Sequence, residues 1–118
     1  MIKKPKKSLG QNFLIDLNVI KKIVKLANIK NDDYILEVGP GTGNLTNEII
    51  KKNPKKIFLV EKDNFLSKQL LDKFKEVNVE VFNSDILNFN EDKIAKKKII
   101  IFGNLPYNIS TQILIKWI

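Results

Sequence analysis

Apolar and polar positions change period several times along the chain, and each change marks an element. Leu17, Ile20, Ile23, Val24 and Ala27 recur at helical spacing behind Asp16, a good N-cap, and predict a helix running to about Asn28. Tyr34 to Val38 is a short apolar run that predicts a strand. It feeds the turn Gly39-Pro-Gly-Thr-Gly43, after which Leu45, Ile49 and Ile50 return to helical spacing. Ile57 to Val60 predicts a second strand, and Asp63 caps a helix carrying Leu66, Leu70 and Phe74. Val77 to Phe82 alternates toward a third strand. Asn90 to Lys98 is a charged connector for which a helix is one reading. Ile99 to Phe102 is a continuous apolar run, as expected of a parallel strand buried on both faces. Past it, Ile113, Leu114, Trp117 and Ile118 make the last stretch amphipathic. The order is strand, glycine turn, helix, strand, helix, strand, connector, strand. That is α/β alternation around a mostly parallel sheet.

Composition narrows the chemistry. The 118 residues are 43% hydrophobic, enough for one domain or part of one with a real core. There is neither cysteine nor histidine. Disulfides, thiolate or imidazole metal sites, Ser-His-Asp catalysis and a cysteine nucleophile are all excluded, and no metal is expected. Met1 to Lys7 is lysine-rich but runs into Ser-Leu-Gly-Gln-Asn, with neither a signal peptide nor a membrane span, so a cytoplasmic protein is expected. The net charge of +8 points to a polyanionic partner, with a qualification. All 21 basic residues are lysine, and asparagine and isoleucine are abundant, a pattern that an AT-rich coding sequence produces by itself. The clustering says more than the total. Lys3, Lys4, Lys6 and Lys7 form a basic arm, and Lys51, Lys52, Lys55 and Lys56 flank Pro54, where a solvated face is the simpler reading. The arm leads into Ser8 to Asp16, a lid or access loop.

The glycine turn admits a ligand against bare backbone. Its spacing, glycines at 39, 41 and 43, is not the G-x-G-x-x-G of dinucleotide folds, and Gly43 is followed by Asn44 where a P-loop needs lysine. The turn suits a ligand without pyrophosphate. Glu61, at the tip of the second strand, is placed to accept hydrogen bonds from both hydroxyls of an adenosine ribose. A surface pair with Lys62 is the competing reading. Asp85 follows the third strand and would bond an adenine amino group while Ile86 packs on the ring, with a simple Asp turn as the alternative.

Asn104-Leu105-Pro106-Tyr107 follows the fourth apolar run. The exocyclic nitrogen of adenine is a poor nucleophile because its lone pair is delocalised into the ring. The Asn104 side-chain carbonyl and the Leu105 backbone carbonyl would accept its two N–H bonds and favour the tetrahedral form. Pro106 fixes φ and holds the acceptors in place. Tyr107 would stack on an extruded base. Taken alone, the four residues read more readily as a strand-end turn with a packed tyrosine.

Lys-Ser-Leu-Gly-Gln-Asn-Phe-Leu at 7 to 14, Glu-Val-Gly-Pro-Gly-Thr-Gly-Asn-Leu-Thr at 37 to 46, Glu-Lys-Asp at 61 to 63, Ser-Asp-Ile-Leu at 84 to 87 and Gly-Asn-Leu-Pro-Tyr-Asn-Ile-Ser-Thr at 103 to 111 together resemble the ribosomal RNA adenine dimethyltransferases. The flavour is that of the small-subunit branch; Leu105 and the Gly-Pro-Gly pattern speak against the macrolide-resistance branch. The resemblance implies a Rossmann-like class I methyltransferase using S-adenosylmethionine, acting as a monomer on ribosomal RNA of the small subunit. It implies a cofactor site of Gln11, Asn12, Leu14, Gly39, Gly41, Gly43, Glu61, Lys62, Asp85, Ile86 and Asn104, with Asn104, Leu105, Pro106 and Tyr107 at the target adenine. Family members are more than twice this long, adding three strands, a small helical domain and an aromatic residue that faces the base. On that basis residues 1–15 are an arm and access loop, residues 16–118 an incomplete Rossmann-like domain, and the fourth strand an exposed apolar edge. Two other classes stay open. A nicotinamide oxidoreductase would use the same sheet and Glu61, and a catalytically silent RNA-binding or assembly factor would keep the basic arm.

Overall fold

The computed structural model describes residues 16–89, 99–107 and 110–117. In chain order the elements are α1 (Leu17–Ala27), β1 (Tyr34–Val38), α2 (Asn44–Ile50), β2 (Lys56–Val60), α3 (Asn64–Lys73), β3 (Val79–Phe82), a 3₁₀ turn (Ile86–Asn88), β4 (Ile99–Tyr107) and β5 (Ser110–Trp117). The sheet order is β3-β2-β1-β4-β5, with the first four strands parallel and β5 antiparallel to β4.

Local chemistry sets the helix ends. Asp16 accepts from the backbone N–H groups of Asn18 and Val19, and Asp63 from that of Leu66, so two helices begin at the expected caps. Asn28 closes α1 in the left-handed conformation at φ 52, a role asparagine tolerates. The third strand begins at Val79, two residues later than its alternation suggests. Pairing decides this, because Val79 stands opposite Ile57, the first apolar residue of β2.

The strands are buried on both faces, and consecutive residues feed two separate cores. Ile35, Ile57, Leu59, Ile100 and Phe102 pack with Ile20, Val24 and Ala27 of α1, Leu45 and Ile49 of α2, and Leu70 and Phe74 at the end of α3. Leu36, Phe58, Val60, Ile99 and Ile101 form the opposite core. Tyr34, Phe58, Phe82 and Phe89 run across that second face as a chain of ring contacts with centroids 5.1–6.4 Å apart. The two layers fix the height and direction of the strand ends, where the candidate site lies.

The fourth strand is not the edge that the sequence leads one to expect. β5 pairs with it from Ile100–Trp117 to Tyr107–Ser110. β1 ends at Val38 opposite Gly103, so without β5 the last residues of β4 would leave backbone groups unpaired on both sides. A second correction follows. Asn104 to Tyr107 is not a turn after the strand but its last four residues, and Pro106 stands opposite Thr111 where β4 is bonded on one side only, the setting in which a sheet accommodates proline. The amphipathic end stretch is therefore strand from Ser110 to Trp117. Residues 1–15 and the connector at 90–98 lie outside the described residues.

Candidate functional site

The glycine turn is held by its own backbone and by a buried carboxylate. Gly39 N–H extends the ladder to the Val60 carbonyl at 2.9 Å, and Gly43 N–H donates to the Pro40 carbonyl at 2.9 Å. Gly41 (φ 59) and Gly43 (φ 89) are in left-handed conformations that disfavour any side chain. At Gly43 space is short as well: an added Cβ would lie 2.9 Å from Phe74 Cε2, in a ring buried in the helix-side core. Gly43→Ala therefore costs about 2 kcal/mol of stability by strain and overpacking, read from the shift of the urea midpoint. Lys73 Nζ donates to the Thr42 carbonyl at 3.0 Å and ties α3 to the same turn.

Glu61 directly follows β2. It is buried at 6% exposure, and its two oxygens diverge to two backbone donors: Gly41 N–H to Oε1 at 3.1 Å and Asp63 N–H to Oε2 at 3.0 Å. The carboxylate thus joins the glycine turn to the end of β2. Each oxygen keeps a lone pair for a further donor, which is what a ribose diol presents. The competing surface pair is not formed: among the described residues Lys62 is exposed and makes no ion pair with Glu61. Lys62 contributes its carbonyl instead, which with that of Glu61 accepts from Asn83 Nδ2 at 3.2 and 3.0 Å.

Asp85 forms the Asp turn of its alternative reading. Oδ1 accepts from Leu87 N–H at 3.0 Å and starts the 3₁₀ turn, while among the described residues Oδ2 has no bond. Ile86 is half-buried against the second core. Gly39 and Glu61 follow the carboxyl ends of β1 and β2, Asp85 lies just past β3, and Asn104 begins the last four residues of β4 beyond the end of β1, all at the edge where parallel sheets bind ligands. Gln11, Asn12 and Leu14 lie outside the described residues. For Asn104, Leu105, Pro106 and Tyr107 the placement concerns the backbone. A cavity of about 300 Å³ beside Gly41 and Thr42 opens toward Gln69, Asp72 and Lys73, and none of Glu61, Lys62 or Asp85 lines it.

The residue that sequence reasoning passed over is Glu37. It lies inside the apolar run Tyr34 to Val38, is 1% exposed, faces the helix-side core between Leu59 and Phe102 of the flanking strands, and accepts from Thr46 Oγ1 at 2.6 Å. Burial, reinforced by repulsion from Glu61 and opposed by the Thr46 bond, raises its pKa to about 7. The available signal was an acid inside an apolar strand with a hydroxyl in the first turn of the following helix.

A family model described as ribosomal RNA adenine dimethylase matches residues 2–118. The chain belongs to that family. A curated dimethylase-family relative from Pelagibacter ubique, named ribosomal RNA small subunit methyltransferase A, is 54% identical over 118 residues, covering 100% of this chain and 44% of its own length. A protein of the same name from Wolbachia pipientis is 42% identical over 98% of this chain and 44% of its own length. The chain thus spans less than half the length of these relatives. Among solved structures, the 23S rRNA methyltransferase ErmE superposes with a TM-score of 0.70 at 32% identity, covering 80% of this chain and 37% of that one. A dimethyladenosine transferase from Plasmodium falciparum gives 0.65 at 28% identity over 76% and 32%. The fold is therefore the Rossmann-like fold of class I methyltransferases, as the family resemblance implied.

Proposed function

We propose that this chain carries the cofactor-binding part of an S-adenosylmethionine-dependent dimethyltransferase that modifies N6 of adenine in small-subunit ribosomal RNA. The observation that carries the reading is Glu61, buried, bonded to Gly41 and presenting free lone pairs beside the glycine turn. Names of the dimethylase relatives support the reaction class and the small-subunit substrate. S-adenosylmethionine, when bound, supplies an electrophilic methyl group on a sulfonium. Glu61 would hold the ribose hydroxyls, Asp85 the adenine amino group through its remaining oxygen, and Gly39 and Gly41 would let the ligand lie against backbone. Asn104 and Leu105 would accept the N–H bonds of the target nitrogen, and Tyr107 would stack on the base. The nitrogen becomes acidic only once methylated and then loses its proton to water, so no strong general base is required.

Calorimetric titration tests the cofactor. S-adenosylmethionine or S-adenosylhomocysteine binds in preference to NAD; tighter NAD binding would restore the oxidoreductase reading. Glu61→Ala lowers that affinity by about 1–3 kcal/mol, through the lost ribose bonds and the released Gly41 N–H. RNA binding rests on Lys3, Lys4, Lys6 and Lys7, so deletion of the arm reduces the slope of log affinity against log salt concentration. An unchanged slope makes the arm a solvated tail. With ribosomal RNA as substrate the protein would act in the cytoplasm, as a monomer. Among the described residues no helix is long and apolar enough to cross a membrane.

A further inference from the structure

The cavity of about 300 Å³ beside the glycine turn is left unassigned by the cofactor reading, whose acids Glu61 and Asp85 do not line it. Gly41 and Thr42 form one side, and Gln69, Leu70, Asp72 and Lys73 of α3 the other. Lys73 bridges the two sides: its ammonium lies 5.4 Å from the Phe74 ring centre and donates to the Thr42 carbonyl at 3.0 Å. Asp72 faces Lys75 at 3.6 Å. The cavity is therefore lined by one cation and one anion, both engaged, and offers no surplus charge to a phosphate. It offers a mixed set of donors and acceptors instead, from the Gln69 amide, the Asp72 carboxylate and the Thr42 hydroxyl, over the apolar Leu70. α3 connects parallel β2 to β3 and so runs back from the ligand-binding edge. Phe65, in its first turn, is 68% exposed and shares a helix face with Gln69, Asp72 and Lys73. Lys68 stands beside it, three residues on and exposed. A lone exposed apolar side chain needs no explanation. An aromatic one at the ligand-binding end of a polar cavity, with a lysine beside it, is an arrangement suited to an unpaired nucleobase.

We propose that the groove along α3, from Phe65 down to Gln69 and Asp72, holds an unpaired, amino-bearing base of the RNA substrate other than the target adenine. Phe65 stacks on the base, Gln69 and Asp72 bond its edge, and Lys68 lies by the sugar-phosphate backbone. The inference rests on the reading of RNA as substrate and adds to it a second point at which the strand is held. A target base must leave its stack to be methylated, so the bases around it are unpaired as well and free to be captured. The cavity is at the small end of the range for ligand sites, with room for one heterocycle. Its edge chemistry selects among bases: a carboxylate accepts from the amino group of cytosine or adenine, and an amide pairs with adenine through one donor and one acceptor. Uracil has no amino group to give.

The test is titration of the full chain with short single-stranded oligoribonucleotides of cytosine and of uracil, with a duplex containing the cytosine strand, and with free cytidine monophosphate. The wild type binds the cytosine strand about fivefold more tightly than the uracil strand. Phe65→Ala weakens binding of the cytosine strand about tenfold, through the lost stacking, and leaves the slope of log affinity against log salt concentration unchanged because no charge is removed. The double variant Gln69→Ala with Asp72→Ala brings the two strands to equal affinity. All three side chains are exposed, so the variants keep the fold, which the urea midpoint checks. Phe65→Ala also leaves S-adenosylmethionine affinity unchanged. Unaltered binding of the cytosine strand by Phe65→Ala, an equal loss on the duplex, or no RNA binding by the wild type overturns the inference while leaving the cofactor reading intact. Free cytidine monophosphate bound as tightly as the strand, and lost in Phe65→Ala, would assign the groove to a free nucleotide and overturn it too. A wild type that binds the strand through Phe65 but binds no S-adenosylmethionine removes the cofactor reading and keeps the groove.

Discussion

Asn104→Ala lowers methyl transfer by roughly 10²–10³-fold in the protein that carries the complete base pocket, the scale of losing one preorganised hydrogen-bonding group. Transfer from a sulfonium is a displacement whose leaving group departs neutral, so the demand on the protein is alignment and localisation of the nitrogen lone pair. Asn104 follows Gly103, which lies opposite Val38, and the next residue of β1's chain is Gly39. The backbone of the motif therefore emerges beside the glycine turn, where the cofactor reading places the methyl donor. If the Asn104 carbonyl acts on the target nitrogen, turnover falls far more than cofactor affinity, and single-turnover rates measured beside calorimetric binding separate the two. Tyr107→Phe keeps most activity and Tyr107→Ala loses it if the ring stacks on the base. An inactive but folded Tyr107→Phe would instead assign the hydroxyl a chemical role.

What the sequence made legible follows from how locally each feature is determined. Asp16 and Asp63 cap helices through donors two or three residues away, and Tyr34 to Val38 forms a strand because its apolar residues are contiguous; both are written within a few positions. The glycine turn was readable for the same reason. Glu61 was placed correctly at a strand end, but its bond to Gly41 spans twenty residues and needs the sheet to bring the partners together. β5 escaped because its reason for pairing lies elsewhere, in the length by which β4 outruns β1. Glu37 escaped because a lone acid in an apolar run reads as a strand terminus until burial and the Thr46 bond are visible. The features hidden from the sequence are those set by contacts across the sheet.

Glu37 also makes the unliganded fold lose stability as pH rises. Its carboxyl binds a proton with a pKa of about 7 in the folded protein against 4.5 for the unhindered group, so between those values the folded state holds more protons than the unfolded one. Stability contributed by this residue is accordingly full below pH 4.5, declines as pH rises through the folded value, and is flat beyond it. The total is about 3 kcal/mol, the free energy that a shift of this size represents for a wholly buried group. Other carboxylates titrate in the same range, so the comparison is with Glu37→Gln, which keeps an oxygen for Thr46 and has no proton to lose. Urea unfolding at pH 5 and pH 8 should find the two proteins similar at the lower pH and the Gln variant more stable by about 2–3 kcal/mol at the higher, where the wild type must bury a charge. A difference between them that stays constant across this range would mean that Glu37 keeps one ionisation state throughout, with a counter-charge already supplied by the chain itself.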